Sequence, residues 1–408
     1  MDKNDIELLA PAGDFEKLKF AINYGANAVY LGRQNFGLRS NAKNFDENEF
    51  ESAISYAHAH NVKVYVTVNI FAHNEDIDAL KKFLPSLKNA DAILVADPGI
   101  FSLVKEILPD MPIHISTQAN VTNYESTKFW TKLGAKRIVL ARELSLAQIK
   151  KIHESLPQVE LEAFVHGAMC VSYSGRCLLS NYLTGRSSNH GDCAQPCRWK
   201  YNLVEENRPG EFFPICEDEN GSFILNSKDL CMAEHIDKLI ESGVKSFKIE
   251  GRMKSIYYTA GATKIYREAI DDYFADKKIF AAKKNYYVDE LNKISHRHYS
   301  TGFYFGQNQN EIYESASYIK PYDFLGVVKD FDKENSIATV EQRNKIEVGD
   351  QIEILSPKNI FKMKIEQIWD SDGNKIKSAP HAQQIIKIKS DVPLNTMDIL
   401  RKICAGPK

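Results

Sequence analysis

Ser246-Phe247-Lys248-Ile249 is the stretch on which the fold turns. It is short, mostly apolar and followed by Glu250-Gly251-Arg252, so it reads as a buried strand running into a turn. Seven similar runs precede it: Ile6–Leu9, Ala28–Leu31, Val62–Val68, Ala92–Val95, Ile113–Ile115, Arg137–Leu140 and Val159–Phe164. Helical patterns lie between them. Glu16–Tyr24 stops at Gly25, a helix-ending residue. Glu47–Ala59 follows Asp46, a good N-cap. Asp76–Leu87 sets Ile77, Leu80, Phe83, Leu84 and Leu87 at helical spacing. Pro98–Leu108, Glu125–Leu133 and Leu146–Glu154 complete the series. Strands that alternate with helices build a parallel sheet. Eight of them predict an α/β fold, a (βα)8 TIM-like barrel. The alternative is a doubly wound open sheet. It needs a switch point, and no Gly-rich phosphate fingerprint marks one.

Upstream of the eighth strand the periodicity breaks. Residues 165–226 carry cysteines with Gly, Ser, Asn and Arg, and read as an insertion after strand seven. In such barrels that end is the face where chemistry is done. A helix near Leu230–Ser242 leads back to the barrel, and a long one runs from about Ser255 to Phe274. Residues 1–275 thus form the barrel domain. Residues 276–317 read as a polar linker or helical segment, with the run His296-Arg297-His298-Tyr299. Residues 318–408 hold short strands at Leu325–Val328, Ser336–Val340, Gln351–Ile354, Lys364–Trp369 and Ile385–Ile388. Val348-Gly349-Asp350 and Asp372-Gly373-Asn374 turn the chain between them. This is a small C-terminal antiparallel β-barrel.

A length of 408 residues suits two or three domains. The net charge of -2 points to no polyanion, so a nucleic-acid partner needs a local basic patch. No apolar run of about 18 residues occurs, which argues against a transmembrane helix. The start, Met1 to Asp5, has no basic-then-apolar leader. The expected compartment is cytoplasmic, without a membrane.

Cytoplasmic chains seldom need disulfides, yet there are seven cysteines, four of them within 28 positions. Cys170 and Cys177 are seven apart, Cys193 and Cys197 four apart, and Cys231 follows Lys228-Asp229-Leu230. Crowded thiols with flanking glycines suit zinc or an iron–sulfur cluster. Zinc prefers closer Cys pairs, so the wide first spacing favours a cluster, although neither spacing is a ferredoxin pattern. Spacing alone selects Cys197 to join Cys170, Cys177 and Cys193. Cys216 and Cys404 read as plain residues.

The run Glu162-Ala163-Phe164-Val165-His166-Gly167-Ala168-Met169-Cys170, continuing to Gly175, Cys177 and Leu179-Ser180, resembles the signature of the collagenase-like peptidase family. Leu8-Leu9-Ala10-Pro11-Ala12-Gly13, Asn226-Ser227-Lys228-Asp229-Leu230 and Lys248-Ile249-Glu250-Gly251-Arg252-Met253-Lys254-Ser255 are similar to it as well. Within the family, Asp192-Cys193-Ala194-Gln195-Pro196-Cys197-Arg198-Trp199 and Arg208-Pro209-Gly210-Glu211 resemble the tRNA-hydroxylation branch. That resemblance implies a tRNA hydroxylase that makes 5-hydroxyuridine at the wobble position, with prephenate as co-substrate and a 4Fe-4S iron–sulfur cluster. It implies metal ligands at Cys170, Cys177, Cys193 and Cys231, with Cys197 a nearby fifth thiol.

The family name suggests proteolysis instead. No Gly-x-Ser-x-Gly elbow and no His-Glu-x-x-His pair supports it. A non-catalytic RNA-binding partner of another enzyme is a third reading. A protein partner or a homo-oligomer stays open.

In a barrel, residues just past the strand ends face the site. Here these are Asn69, Ser116, Gln118, Arg142, Glu143, His166, Glu250 and Arg252, with Arg39 another candidate. Prephenate has two carboxylates, which guanidinium forks grip well. Arg142 and Arg252 are the expected substrate anchors, with a plain ion pair to a neighbouring Glu as the bland alternative. His166 is the expected proton relay or cluster neighbour, and Glu250 the expected acid or base. Two basic and aromatic groups suit tRNA: Arg186, Arg198, Trp199, Lys200 and Tyr201, then His296, Arg297, His298, Tyr299, Tyr304 and Phe305.

Overall fold

Eight parallel strands close on themselves: β1 (Glu7–Pro11), β2 (Ala28–Leu31), β3 (Lys63–Val68), β4 (Ala92–Val95), β5 (Ile113–Ile115), β6 (Arg137–Val139), β7 (Glu160–Ala168) and β8 (Val244–Ile249). Each pairs with the next, and β8 pairs with both β7 and β1, which closes the barrel. The structure is a computed structural model. It describes all residues except 1, 35, 38–42, 171, 174–175, 200–202, 205–211, 214–216, 219–220, 223–227, 307–317 and 405–408.

The helices start where local chemistry says they should. Asp46 accepts from the Glu49 amide and Glu49 reaches back to the Asp46 amide, a capping box for Glu47–Ala59. Ser255 caps the helix Ile256–Ala275 by accepting from the Tyr258 amide. Among the described residues no helix is long and apolar enough to cross a membrane.

The barrel interior holds charge as well as apolar side chains. Arg137 on β6 reaches Glu7 on β1 and Glu162 on β7, and Lys248 on β8 meets Glu162 at 2.8 Å. Glu162 is completely buried. Buried carboxylates survive only when paired, and this set pairs them across four strands.

The chain leaves β7 at Ala168 and returns at Asp229. In place of the helix expected from Leu230, Asp229–Cys231 forms a strand antiparallel to β7, with Leu230 opposite Gly167 and Cys231 opposite His166. The cause is Asp229. Its carboxylate takes Arg297 through Nε at 3.1 Å and Nη2 at 2.7 Å, with both residues buried. The helix follows later, at Ile236–Glu241.

Residues 277–306 pack into the barrel wall. The helix Lys277–Asn292 buries Phe280, Tyr287 and Leu291, and Tyr299–Ser300 adds a strand beside Asp229–Cys231. The C-terminal part is an antiparallel sheet of eight strands wrapped on Leu325, Val340, Ile354 and Ile386, with a second two-stranded sheet of Ile346–Glu347 and Ser378–Ala379 among the described residues. Ile360–Lys364 and Ile368–Trp369 are separate strands there, because Ile365 turns inward between them. Arg401, buried, pairs with Glu353 in its own sheet at 2.7 Å and ties the sheet to the helix Lys277–Asn292 through Glu290 at 2.6 Å.

Candidate functional site

A cavity of about 190 Å³ opens at the C-terminal ends of the barrel strands, between them and the insertion. Its cationic side comes from β6 and β8. The Arg142 guanidinium lies 3.8 Å from the Phe164 ring, donates to the Ala168 carbonyl at 2.7 Å and stands 3.7 Å from Glu250. Arg252 is buried and donates to Thr67 Oγ1 at 2.7 Å. Gly32 makes room for it: a Cβ there would sit 2.6 Å from Arg252 Nη1. Lys248 completes the trio from the floor, held by Glu162 and lying 4.6 Å from the Tyr30 ring.

The opposite side is neutral and polar. Asn69 Nδ2, just past β3, donates to Ser116 Oγ at 3.2 Å and to Gln118 Oε1 at 3.1 Å. The third wall is the insertion. Cys170, Cys177, Cys193 and Cys197 all line it, with Ser180 and Gln195. Ser180 accepts from the Ala194 amide at 3.0 Å, which pins the Cys193–Cys197 turn to the short helix Leu179–Thr184.

Four thiols on one wall are the soft donor set that an iron–sulfur cluster uses. Among the described residues, no three His, Cys, Asp or Glu side chains converge on a single-ion site. The four thiols thus share a wall and a donor chemistry without converging on one point among the described residues.

The cavity brings together Asn69, Ser116, Gln118, Arg142, Glu250 and Arg252 from those expected at the strand ends. Arg142 does pair with Glu250, but inside the cavity and not on open surface. His166 is elsewhere. Its ring is buried among Tyr258, Tyr266 and Tyr299, and neither ring nitrogen has a hydrogen-bond partner among the described residues. Burial lowers its imidazole to about 3. The reason is a shift of register where β7 meets β8. Phe164 pairs with Lys248 and His166 with Ile249, so Val165 is extra and the side-chain alternation flips. Gly167 follows at φ 103°, a left-handed value that leaves room for the Glu250 carbonyl.

Cys231 sits behind β7 with His166. It does not line the cavity, and burial pushes its thiol up to about 11. Glu143 also lies off the cavity. Arg39, Cys216, Lys200 and Tyr201 lie outside the described residues, as does the Arg198 side chain. Lys248 is the residue that strand-end reasoning missed. Its signal was a charge between apolar Phe247 and Ile249 in the strand.

Of the two expected RNA surfaces, the described part of the first lies on the insertion. Trp199 is exposed and Arg186 pairs with Asp192 at 2.6 Å. Tyr173, Leu178 and Tyr182 of the insertion are exposed, Tyr182 at 86%, as is Met253 of the cavity lining. The second is largely interior. His296, Arg297 and Tyr304 are buried, and only Phe305 and His298 are open.

The chain matches peptidase family U32 over residues 13–314 and the peptidase family U32 C-terminal domain over residues 320–401. It is 42% identical to tRNA hydroxylation protein P1 of Bacillus subtilis, over 97% of this chain and 94% of that protein. It is 36% identical to tRNA hydroxylation protein P of Escherichia coli, over 97% and 96%. An uncharacterized protease of Methanocaldococcus jannaschii shares 44% identity over 86% of each chain. A barrel with a thiol wall and a cationic floor, matched at this level along nearly its whole length, belongs to peptidase family U32, in its tRNA hydroxylation branch.

Proposed function

We propose that this chain converts a wobble uridine of tRNA to 5-hydroxyuridine inside the cavity, with prephenate as co-substrate and a 4Fe-4S cluster on the insertion wall. The observation that carries the reading is the joining, in one cavity, of a four-thiol wall and three cations. Arg142, Lys248 and Arg252 line the cavity with Glu250, and Glu162 beneath the floor balances Lys248, so the cavity offers donor groups for carboxylates. Two carboxylates spread over three cationic groups suit prephenate.

Cys170, Cys177 and Cys193 would hold the cluster, which would supply one-electron chemistry at the cavity wall. Their placement favours Cys197 as fourth ligand, whereas the family resemblance implies Cys231. The other groups act by position. Phe164 and the Ala168 carbonyl hold the Arg142 fork flat. Glu162 and Thr67 hold Lys248 and Arg252. Glu250, beside Arg142, is the carboxylate able to take a proton.

RNA is supported by the insertion. Its exposed Tyr173, Tyr182 and Trp199 give an unpaired base aromatic surface to stack on. Peptidase action has less support, because the described lining residues include no histidine to activate a cysteine or serine.

The test is nucleoside mass analysis of tRNA from cells lacking this chain. 5-Hydroxyuridine and its derivatives should vanish and return with the wild-type chain, but not with Arg252→Lys. Unchanged 5-hydroxyuridine in the deletion strain refutes the proposal. Anaerobically purified protein with neither iron nor sulfide refutes its cluster component.

A further inference from the structure

We propose that Gln118 reads the O4 edge of the target base, and so selects uracil over cytosine. This rests on the reading above that a pyrimidine of RNA enters the cavity.

The neutral side of the cavity is built to fix one carboxamide. Asn69 ends β3, Ser116 ends β5, and Gln118 lies in the tight turn Thr117–Ala119 that follows. Asn69 Nδ2 donates to Gln118 Oε1 at 3.1 Å, and the Ser116 hydroxyl donates to the same oxygen. Asn69 also donates to Ser116 Oγ, at 3.2 Å, so the three side chains brace one another. Two donors on Oε1 decide which way the amide faces. Its Nε2 edge points away from them, and the residue lines the cavity.

Gln118 therefore offers a donor in a fixed direction. Uracil carries a carbonyl at position 4, which accepts. Cytosine carries an amine there, which donates. A donor facing a donor in a buried site leaves both without partners, and that mismatch is costly. The charged groups of the same cavity, on and just past β6 and β8, are assigned to the dianion by the proposed function. The division of labour follows: cations for the dianion, the braced amide for the base.

The experiment uses the full chain and two transcripts of one tRNA, differing only in uridine or cytidine at the wobble position. Binding constants are measured for both. The wild-type chain should prefer the uridine transcript by roughly tenfold or more. Gln118→Met keeps the length without the donor, and should bring the ratio near one. Gln118→Glu offers only acceptors, and should favour cytidine. A merely structural Gln118 would weaken both transcripts alike, so an unchanged ratio in the two variants overturns the inference. A wild-type chain that binds neither transcript overturns the proposed function instead.

Discussion

Replacing Lys248 by methionine removes the floor cation and takes one partner from Glu162. The structural cost follows from the neighbours. Glu162 Oε1 loses its contact at 2.8 Å, while Oε2 keeps Arg137 at 3.1 Å and Ser246 at 3.2 Å. Breaking a buried ion pair costs about 3–5 kcal/mol, and the surviving partners put this case near about 3 kcal/mol. The double change Glu162→Gln with Lys248→Met removes both charges and should recover most of that loss. Function should separate from stability. A charged hydrogen bond to a ligand contributes about 1.5–3 kcal/mol, or about 10- to 150-fold in affinity. Both the single and the double variant should therefore raise the KM for prephenate by that factor and leave the KM for tRNA near the wild-type value. Urea unfolding and steady-state kinetics at saturating tRNA give the two readouts. If the double variant restores stability and KM together, Lys248 only balances Glu162, and the cationic-floor reasoning fails.

Cys177→Ala should abolish iron binding, and the placement of the thiols predicts that Cys231→Ala keeps it while Cys197→Ala does not. Iron per chain after anaerobic purification decides, and the reverse pattern returns the fourth ligand to Cys231. Gly32→Ala pushes a methyl to within 2.6 Å of Arg252 Nη1, so it should raise the KM for prephenate with little change in the unfolding midpoint. Burial raises the Glu7 carboxyl, but Arg137, Tyr65 and Ser246 together outweigh it, so its folded value lies below 4.5. That stability is present above about pH 4.5 and is lost as pH falls through the folded value. Glu7→Gln should flatten the acid limb of urea midpoint against pH, and parallel acid limbs would refute the pairing.

Much of this was legible along the chain. Eight apolar runs separated by amphipathic ones needed only counting, and the strands formed within a residue or two of those runs, except that β7 continues four residues past Phe164 to Ala168. Asp46 announced a helix start by chemistry that acts across a single turn. The crowding of Cys170, Cys177, Cys193 and Cys197 pointed to one wall of one site. Residues just past strand ends did meet, as Asn69, Ser116, Gln118, Arg142, Glu250 and Arg252 show. Each of these signals is local, or depends only on strand order.

The rest depends on which way a side chain faces after closure. His166 has the parity of Phe164, and one extra residue in β7 turns it out toward Tyr258 and Tyr266. Arg297 reads as a surface cation until Asp229, 68 positions away, takes it into the wall. Lys248 reads as a blemish between apolar Phe247 and Ile249 until the barrel sets Glu162 beside it, 86 positions away. The sequence alone therefore determined the elements, their order and the identity of the thiol wall, because helix caps and strand patterns act over a few residues. Only the tertiary structure decided which charges are interior and which line the cavity. A buried charge is tolerated only where a distant partner arrives to meet it.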